Sequence, residues 1–269
     1  TKINFLLWLI VFSFLLRLVV VYFLGDQYNE PKGYRLGVNN EWNILLEHLI
    51  KYKSYSLYVF NEQMIPSAFM PPMYPFFLYS INAITNFKAI NLMYTIIFLQ
   101  IIISTYSVYV FYQINQIFFS NKLSLINSII FSIIPLNVYY CGQISSINLQ
   151  IIFSLLFLKF LILVIKEKTQ RNIIFFSIIS GVMILTRGEF ILIFGCILFF
   201  VFLKNKIKLS NLVKIITIIL VVVSPYVVRN YIHFNEVFIV KSLGYNLWKG
   251  NNELANVEGY ADLERIEFK

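Results

Sequence analysis

The chain has 269 residues, of which 59% are hydrophobic, 18% aromatic and only 13% charged, and its mean hydropathy is +0.74. These values exclude a water-soluble domain, which could not bury so much apolar surface. The net charge of +9 does not indicate nucleic-acid binding, because the lysines form short clusters between apolar runs, as in the cytoplasmic loops of membrane proteins. We therefore predict an all-α, polytopic membrane protein.

Eight apolar segments are candidate membrane spans. They cover residues 3–24, 74–87, 90–117, 122–139, 144–166, 172–186, 189–203 and 211–230. Lysine-rich loops at 166–171 and 204–214 are expected in the cytoplasm, which places both long polar segments, 25–72 and 231–269, on the other side. Eight crossings would separate those two segments, so we expect a short apolar piece within 74–117 to lie in the interface or re-enter. The count of crossings is then seven or eight.

The first long polar segment, 25–72, is acidic. Its carboxylates are Asp26, Glu30, Glu41, Glu47 and Glu62. Residues 41–50 have apolar positions at the spacing of an amphipathic helix, which we expect to lie on the membrane surface. Aromatic side chains would anchor the segment among the lipid headgroups. They are Trp42, Tyr52, Tyr55 and Tyr58.

The sequence divides into two parts. Residues 1–232 form the predicted transmembrane domain, which includes the polar segment 25–72, and residues 233–269 begin a further extracytoplasmic segment. The chain starts at Thr1 without a methionine and ends within a polar stretch, so we expect it to be a piece of a longer protein. The two cysteines show no metal-ligand spacing, and neither a disulfide nor a zinc site is predicted.

Five short motifs at predicted membrane boundaries stand in an order similar to that of a known enzyme family. They are Pro71-Pro72-Met73-Tyr74-Pro75, Tyr139-Tyr140-Cys141-Gly142-Gln143, Leu185-Thr186-Arg187-Gly188-Glu189, Pro225-Tyr226-Val227-Val228-Arg229-Asn230-Tyr231 and Gly244-Tyr245-Asn246-Leu247-Trp248-Lys249-Gly250-Asn251-Asn252. Together with the acid–aromatic pair Glu41-Trp42, they resemble the GT-C glycosyltransferases of the family 39 type, which include protein O-mannosyltransferases and aminoarabinose transferases. The resemblance covers essentially the whole chain.

The resemblance implies a GT-C-like transmembrane helix bundle with a large first extracytoplasmic loop that carries short amphipathic helices. It further implies transfer of a sugar from a polyprenyl-phosphate carrier to a hydroxyl of a lipid, glycan or protein acceptor, with inversion at the anomeric carbon. We expect an integral protein of the bacterial inner (plasma) membrane, active on the non-cytoplasmic face in the cell envelope. Asn39-Asn40 and Ile147-Asn148 stand where the family commonly has acids, so no metal ligands are assigned and a divalent cation is the one cofactor still allowed.

Sugar transfer to a hydroxyl needs a base to take the proton, worth roughly 10² to 10⁴ in rate, and a cation to stabilise the departing phosphate. Asp26, directly after the first span, and Glu41, at the head of the amphipathic helix, are the candidate catalytic bases. Either carboxylate could equally be a solvated group at a helix end.

Three arginines are candidate ligands of the donor phosphate. Arg187 and Arg229 lie at the predicted outer ends of their helices, and the planar guanidinium fork binds phosphate oxygens in a bidentate manner. Arg17 lies about two turns inside the first span, where it must either snorkel or meet an anion. Snorkelling at the interface is the competing interpretation for Arg187 and Arg229 as well.

A stretch rich in aromatic and amide side chains follows the last span. Tyr245, Trp248, Asn251 and Asn252 are candidates for contacting the acceptor or the sugar, or else they belong to an interfacial aromatic belt. Two other function classes stay open. A secondary transporter or flippase-like protein would place ionisable groups at mid-membrane and show duplicated halves, which this chain lacks. A non-catalytic assembly subunit is favoured if the loop acids prove dispensable.

Overall fold

A computed structural model of the chain describes residues 2–24, 41–61, 63–85 and 89–251. In these ranges the chain is a bundle of helices with one β-hairpin. The helices are α1 Lys2–Leu24, α2 Glu41–Tyr52, α3 Met73–Thr85, α4 Ala89–Asn115, α5 Asn121–Ser132, α6 Pro135–Tyr139, α7 Ile147–Glu167, α8 Gln170–Thr186, α9 Phe190–Leu203, α10 Leu209–Phe234 and α11 Leu243–Gly250. Strand β1, Ser56–Phe60, pairs antiparallel with β2, Gln63–Pro66. The predicted all-α class is confirmed.

Four of the described helices are long and apolar enough to cross a membrane, namely α1, α4, α7 and α10. Helices α5 and α6 give a fifth candidate, a span bent by 62° at the break between them. Helices α8 and α9 are apolar but have only 17 and 14 residues. The polytopic class is therefore confirmed, while some of the seven or eight expected crossings fall on helices shorter than a full span.

Helix α3 is the short apolar piece that the sequence left in doubt. Its 13 residues extend about 20 Å at 1.5 Å per residue, well short of a hydrocarbon core of roughly 30 Å. Without α3 as a crossing, the first polar segment and the segment after α10 lie on the same side. Direct contact agrees with this, because the Lys241 backbone N–H donates to the Ala68 carbonyl at 2.9 Å.

The larger apolar core lies among α7, α8, α9 and α10. Helix α8 is at its centre, with Ile173 and Phe176 fully buried. Gly181 allows α10 to approach α8 closely, since a Cβ atom at this position would lie 2.8 Å from Val222. This close packing fixes the carboxyl ends of α8 and α10 side by side, where the candidate site is found.

Helix α2 has the amphipathic pattern that the sequence predicts, but protein and not lipid covers its apolar face. Leu45, Leu46 and Leu49 are buried against α3, β1 and neighbouring loops. The expectation that this face rests on the membrane is therefore wrong. Tyr55 is not a headgroup anchor either, because it is buried and its hydroxyl donates to the Met70 carbonyl at 2.8 Å. That burial raises the pKa of Tyr55 well above its usual range. Tyr58 is exposed as expected.

Candidate functional site

A cavity of about 1150 Å³ opens at the end of the bundle where α2, α8, α9 and α10 meet. This volume exceeds what a single sugar ring needs and is slightly above the roughly 300–1,000 Å³ of typical ligand sites. Apolar side chains form most of its wall and come from α8, α9 and α10, from residues 69–71 and from residues 237–240 after α10. The polar residues in the wall are Glu41, Ser146, Thr186, Arg187, Glu189, Ser242, Tyr245 and Asn246.

Glu41 reaches the cavity because α2 is held in place by its buried face. The ring of the next residue, Trp42, packs edge-on against Tyr74 with 5.2 Å between centroids, which fixes the first turn of the helix. Glu41 itself is partly buried and lines the cavity. The other predicted base, Asp26, lies outside the described residues, so Glu41 is the one whose position is known.

Arg187 lies at the carboxyl end of α8, where the backbone turns extended. Its Nε donates to the Gln150 side-chain oxygen at 3.1 Å, which ties it to the start of α7. Its Nη1 lies 3.9 Å from a Glu189 carboxylate oxygen. The side chain is 38% exposed, so the guanidinium is oriented by Gln150 and still open to the cavity. This geometry suits an anion ligand.

Arg229 is placed differently. Its Nη1 donates to the Ser67 carbonyl at 2.7 Å and to the Asn230 side-chain oxygen at 2.8 Å, and its Nη2 donates to the Tyr55 carbonyl at 3.0 Å. The guanidinium also stacks over the rings of Tyr55, Tyr226 and Phe234. It does not line the cavity. A phosphate role for Arg229 stays a prediction, while in this structure it fastens the first loop to α10.

Arg17 is fully buried and also lies away from the cavity. Its Nε donates to the Ser104 hydroxyl at 2.7 Å, and its Nη1 donates to the Ser13 hydroxyl at 2.5 Å and to the Ser132 carbonyl at 3.3 Å. Ser132 is the last residue of α5, at the break before α6. A cation is favourable at a helix carboxyl end, where carbonyls lack helical partners. The structure thus gives Arg17 a role in holding the bent pair, and its predicted phosphate role remains only a prediction.

Of the predicted acceptor residues, some line the cavity and others do not. Tyr245 lines the cavity, and its ring packs against Phe69 with 5.3 Å between centroids. Trp248 lies one turn further along α11 and is not part of the wall, and the Asn251 amide donates back to the Leu247 carbonyl at 2.8 Å. Asn252 lies outside the described residues. Ser242 and Asn246 line the wall next to Tyr245.

The segment after α10 closes one side of the cavity. The Asn230 amide donates to the carbonyls of Phe238 and Ile239 at 3.1 and 3.2 Å. Gly188 permits the close approach of this segment, because a Cβ atom there would lie 3.2 Å from Val240. The proposed domain boundary after residue 232 stays untested, although α10 continues through it to Phe234.

Several residues of the site are missing from the sequence-based candidates, among them Asn246 in the wall formed by α11. Glu189 brings a second described carboxylate to the wall, and its signal was the acid that follows Arg187 by two positions in the turn between α8 and α9. Gln150 orients Arg187 from 37 positions away, and no local pattern indicates it. Among the described residues, no three His, Cys, Asp or Glu side chains stand together as a metal site would require. The donor set for a divalent cation is therefore not assembled in that part of the chain.

Comparison with known proteins gives one match. A family model described as dolichyl-phosphate-mannose-protein mannosyltransferase matches residues 70–228, more than half of the chain. The matched range runs from the end of the first polar segment into α10 and includes Arg187. No curated protein and no solved structure matches the chain.

Proposed function

The chain belongs to the dolichyl-phosphate-mannose-protein mannosyltransferase family, whose members are membrane glycosyltransferases, and we propose that it transfers a sugar from a polyprenyl-phosphate carrier to a hydroxyl group. One observation supports this proposal most strongly. Two carboxylates and a half-exposed guanidinium open onto a single, mainly apolar cavity. A lipid-linked sugar requires this combination, because its tail needs apolar surface and its phosphate needs a cation.

In the proposed reaction Glu41 is the base. Its carboxylate takes the proton of the acceptor hydroxyl as the acceptor oxygen attacks the anomeric carbon. The bond between that carbon and the phosphate oxygen breaks, and the phosphate leaves with the electron pair. The configuration at the anomeric carbon is inverted, and no sugar becomes attached to the enzyme. Asp26 is the alternative base in the same role.

Arg187 is the proposed ligand of the departing phosphate. The hydrogen bond from its Nε to Gln150 sets the plane of the guanidinium, so that the Nη groups can meet two phosphate oxygens at once. An apolar wall strengthens this interaction, because charges attract more strongly where water is excluded. Ile184, Ile191 and Leu220 belong to that wall and would lie against the first isoprene units.

Tyr245 and Asn246 lie in the wall contributed by α11. A tyrosine ring stacks on the apolar face of a sugar, and an amide can bond to its hydroxyls. We assign these two residues to the sugar or the acceptor. The acceptor itself is a hydroxyl of a lipid, glycan or protein.

We place the cavity on the non-cytoplasmic side of a bacterial plasma membrane. Helix α8 begins beside the lysine-rich loop at 166–171 and ends at the cavity, and α9 returns from the cavity to the second lysine-rich loop. The basic loops therefore lie at the opposite end of these helices. Lysine-rich short loops are typical of the cytoplasmic side.

The test is a transfer assay with purified protein in proteoliposomes, with polyprenyl-phosphate mannose as donor and membranes of the producing cells as the source of acceptor. We expect the wild type to consume the donor and release polyprenyl phosphate. Glu41→Gln should abolish release while leaving carrier binding intact. Glu47→Gln is the matched control, because Glu47 lies on the same helix, pairs with Lys51 at 2.6 Å and does not line the cavity.

Two results would contradict the proposal at different levels. If Glu41→Gln and Asp26→Asn both keep full turnover, the assignment of the base is wrong. If the wild type moves the lipid-linked sugar across the bilayer without breaking the bond between sugar and phosphate, the protein is a transporter.

A further inference from the structure

The β-hairpin of the first loop exposes an apolar tip, which we define as Tyr58–Phe60 together with residues 63–65. Tyr58 and Phe60 are 67% and 66% exposed, and Val59 and Ile65 are 50% and 43% exposed. The base of the hairpin is different, because Ser56 and Leu57 are buried in the protein. The tip therefore projects away from the described body of the molecule.

Both faces of the tip are apolar. Side chains alternate between the two faces of a strand, so Tyr58 and its cross-strand partner Ile65 lie on one face, and Val59 and its partner Met64 lie on the other. A two-stranded hairpin on its own is marginal in water, and a contiguous exposed apolar patch marks a surface that something covers.

The base of the hairpin lies at a defined depth along α10. Arg229 binds the carbonyls of Tyr55 and Ser67, the residues that immediately precede β1 and follow β2. It lies five residues before the end of α10, about 7.5 Å along the axis at 1.5 Å per residue. Helix α10 has 26 residues, about 39 Å, and exceeds a hydrocarbon core of roughly 30 Å by about 9 Å. This excess is shared between the two ends of α10, and Arg229 lies within its last two turns, so the hairpin leaves the bundle near the end of the span.

The surroundings of the hairpin are those of an interface. Val228 and Ile232 of α10, within one turn of Arg229 along the helix, are exposed apolar side chains. Three residues before β1, the Lys53 ammonium donates to the Tyr79 hydroxyl at 3.2 Å. Aromatic residues beside lysines are typical of the headgroup region, where the rings lie among the acyl ends and the cations meet lipid phosphates.

We propose that the hairpin tip inserts into the bilayer interface at the cavity end of the bundle. The tip is a second contact with the membrane, separate from the spanning helices, and it holds the first loop, and with it Glu41, at a fixed height above the lipid. A lipid interface fits the tip better than a protein partner does, because exposed apolar side chains at 58–60 and 65 stand beside the polar turn sequence Asn61-Glu62, and the base of the hairpin lies near the end of a span. The Glu62 carboxylate in the sequence limits insertion to the headgroup region. This inference depends on the membrane-spanning bundle and not on the reaction.

The test places an environment-sensitive fluorophore on the tip in nanodiscs. Tyr58→Cys and Phe60→Cys are labelled in a Cys196→Ser background, since Cys196 is exposed and Cys141 is buried. We expect a blue-shifted emission that is lost to quenchers carried by lipids near the headgroups and retained with quenchers deep in the acyl chains. Glu236→Cys is the polar control just after α10. Val221→Cys is the control within the membrane, because Val221 is exposed in the middle of α10 and does not line the cavity.

Gln63→Cys is a third labelling site, which still reports on the tip if loss of Tyr58 or Phe60 disturbs the hairpin. Gln63 is already polar and pairs with Phe60, so its replacement keeps every apolar side chain of the tip. Emission as in water at all three positions would overturn the proposal. Blue-shifted emission that no lipid-borne quencher reduces would overturn it as well, because another protein segment would then cover the tip.

Discussion

Two regions of the bundle each hold an arginine that the sequence assigns to the same task, and the structure uses them in opposite ways. At the break between α5 and α6, Arg17 is fully buried and binds hydroxyls and the Ser132 carbonyl. At the turn between α8 and α9, Arg187 is half-exposed, is held by Gln150 through Nε and faces the cavity. Arg17 is enclosed by the protein away from the cavity, with its Nη2 buried and without a hydrogen-bond partner among the described residues. Arg187 faces the cavity, and we propose that only Arg187 binds the carrier phosphate.

The two arginine side chains differ in the groups that they meet at the ends of α5 and α8. The bent pair leaves carbonyls of α5 without helical partners, and a buried cation compensates them. At the end of α8, the backbone N–H of Arg187 itself bonds to the Met183 carbonyl at 2.8 Å. The Arg187 side chain instead bonds through Nε to Gln150, with Nη1 3.9 Å from a Glu189 carboxylate oxygen, and we propose that its Nη groups meet the phosphate.

Among the variants of this comparison, the largest effect on transfer is expected from Arg187→Ala. Removing a positioned donor to the departing phosphate should lower the rate of sugar transfer by about 10²-fold, with little change in unfolding. Arg187→Lys should recover only part of the rate, because an ammonium group lacks the bidentate fork. Transfer at the wild-type rate in Arg187→Ala would show that Arg187 does not stabilise the departing phosphate.

Arg17→Ala should lower the stability of the protein and not its rate of sugar transfer. It removes several charge-assisted hydrogen bonds at once, and we expect the free energy of unfolding in mixed detergent micelles to fall by about 2–3 kcal/mol. Transfer per folded molecule should stay near the wild-type rate. If transfer is lost while unfolding is unchanged, Arg17 contacts the substrate and the contrast with Arg187 fails.

Gln150→Ala tests whether Gln150 orients Arg187, and its expected effect on transfer is smaller. Gln150 is a positioning residue, and losing its hydrogen bond should cost about 1 kcal/mol, or roughly fivefold in transfer. The loss should appear in kcat for a phosphate-bearing donor and should be absent when Arg187 is already alanine. An equal loss in both backgrounds would show that Gln150 does not act through Arg187.

Much of this molecule could be predicted from the sequence, and the failures have physical causes. Hydropathy indicated the membrane class, and the lysine pattern already pointed to one segment that does not cross, which agrees with the short α3. Periodicity identified the helix that begins at Glu41, but the same pattern arises whether lipid or protein covers the apolar face. Here α3 and β1 cover it.

The sequence predicted only part of the site, because some of its contacts depend on how distant segments pack. Residue chemistry and position selected Glu41 at the head of the amphipathic helix, Arg187 at the end of a span and Tyr245 in the aromatic stretch, and all three line the cavity. The contact of Gln150 with Arg187 depends on how α7 packs against α8, and no local pattern encodes that packing. The donors of Arg229 are occupied by carbonyls of a loop more than 160 positions away, which only the folded chain reveals.

The central claim is that the carrier phosphate meets Arg187 in the cavity and not the other two arginines. The direct measurement is the dissociation constant of polyprenyl phosphate for the purified wild type and for Arg187→Ala, Arg17→Ala and Arg229→Ala, with the folded fraction of each matched. Our account predicts binding weakened by about tenfold, or roughly 1.4 kcal/mol, in Arg187→Ala alone. Wild-type affinity in Arg187→Ala, together with lost affinity in Arg17→Ala or Arg229→Ala, would contradict it.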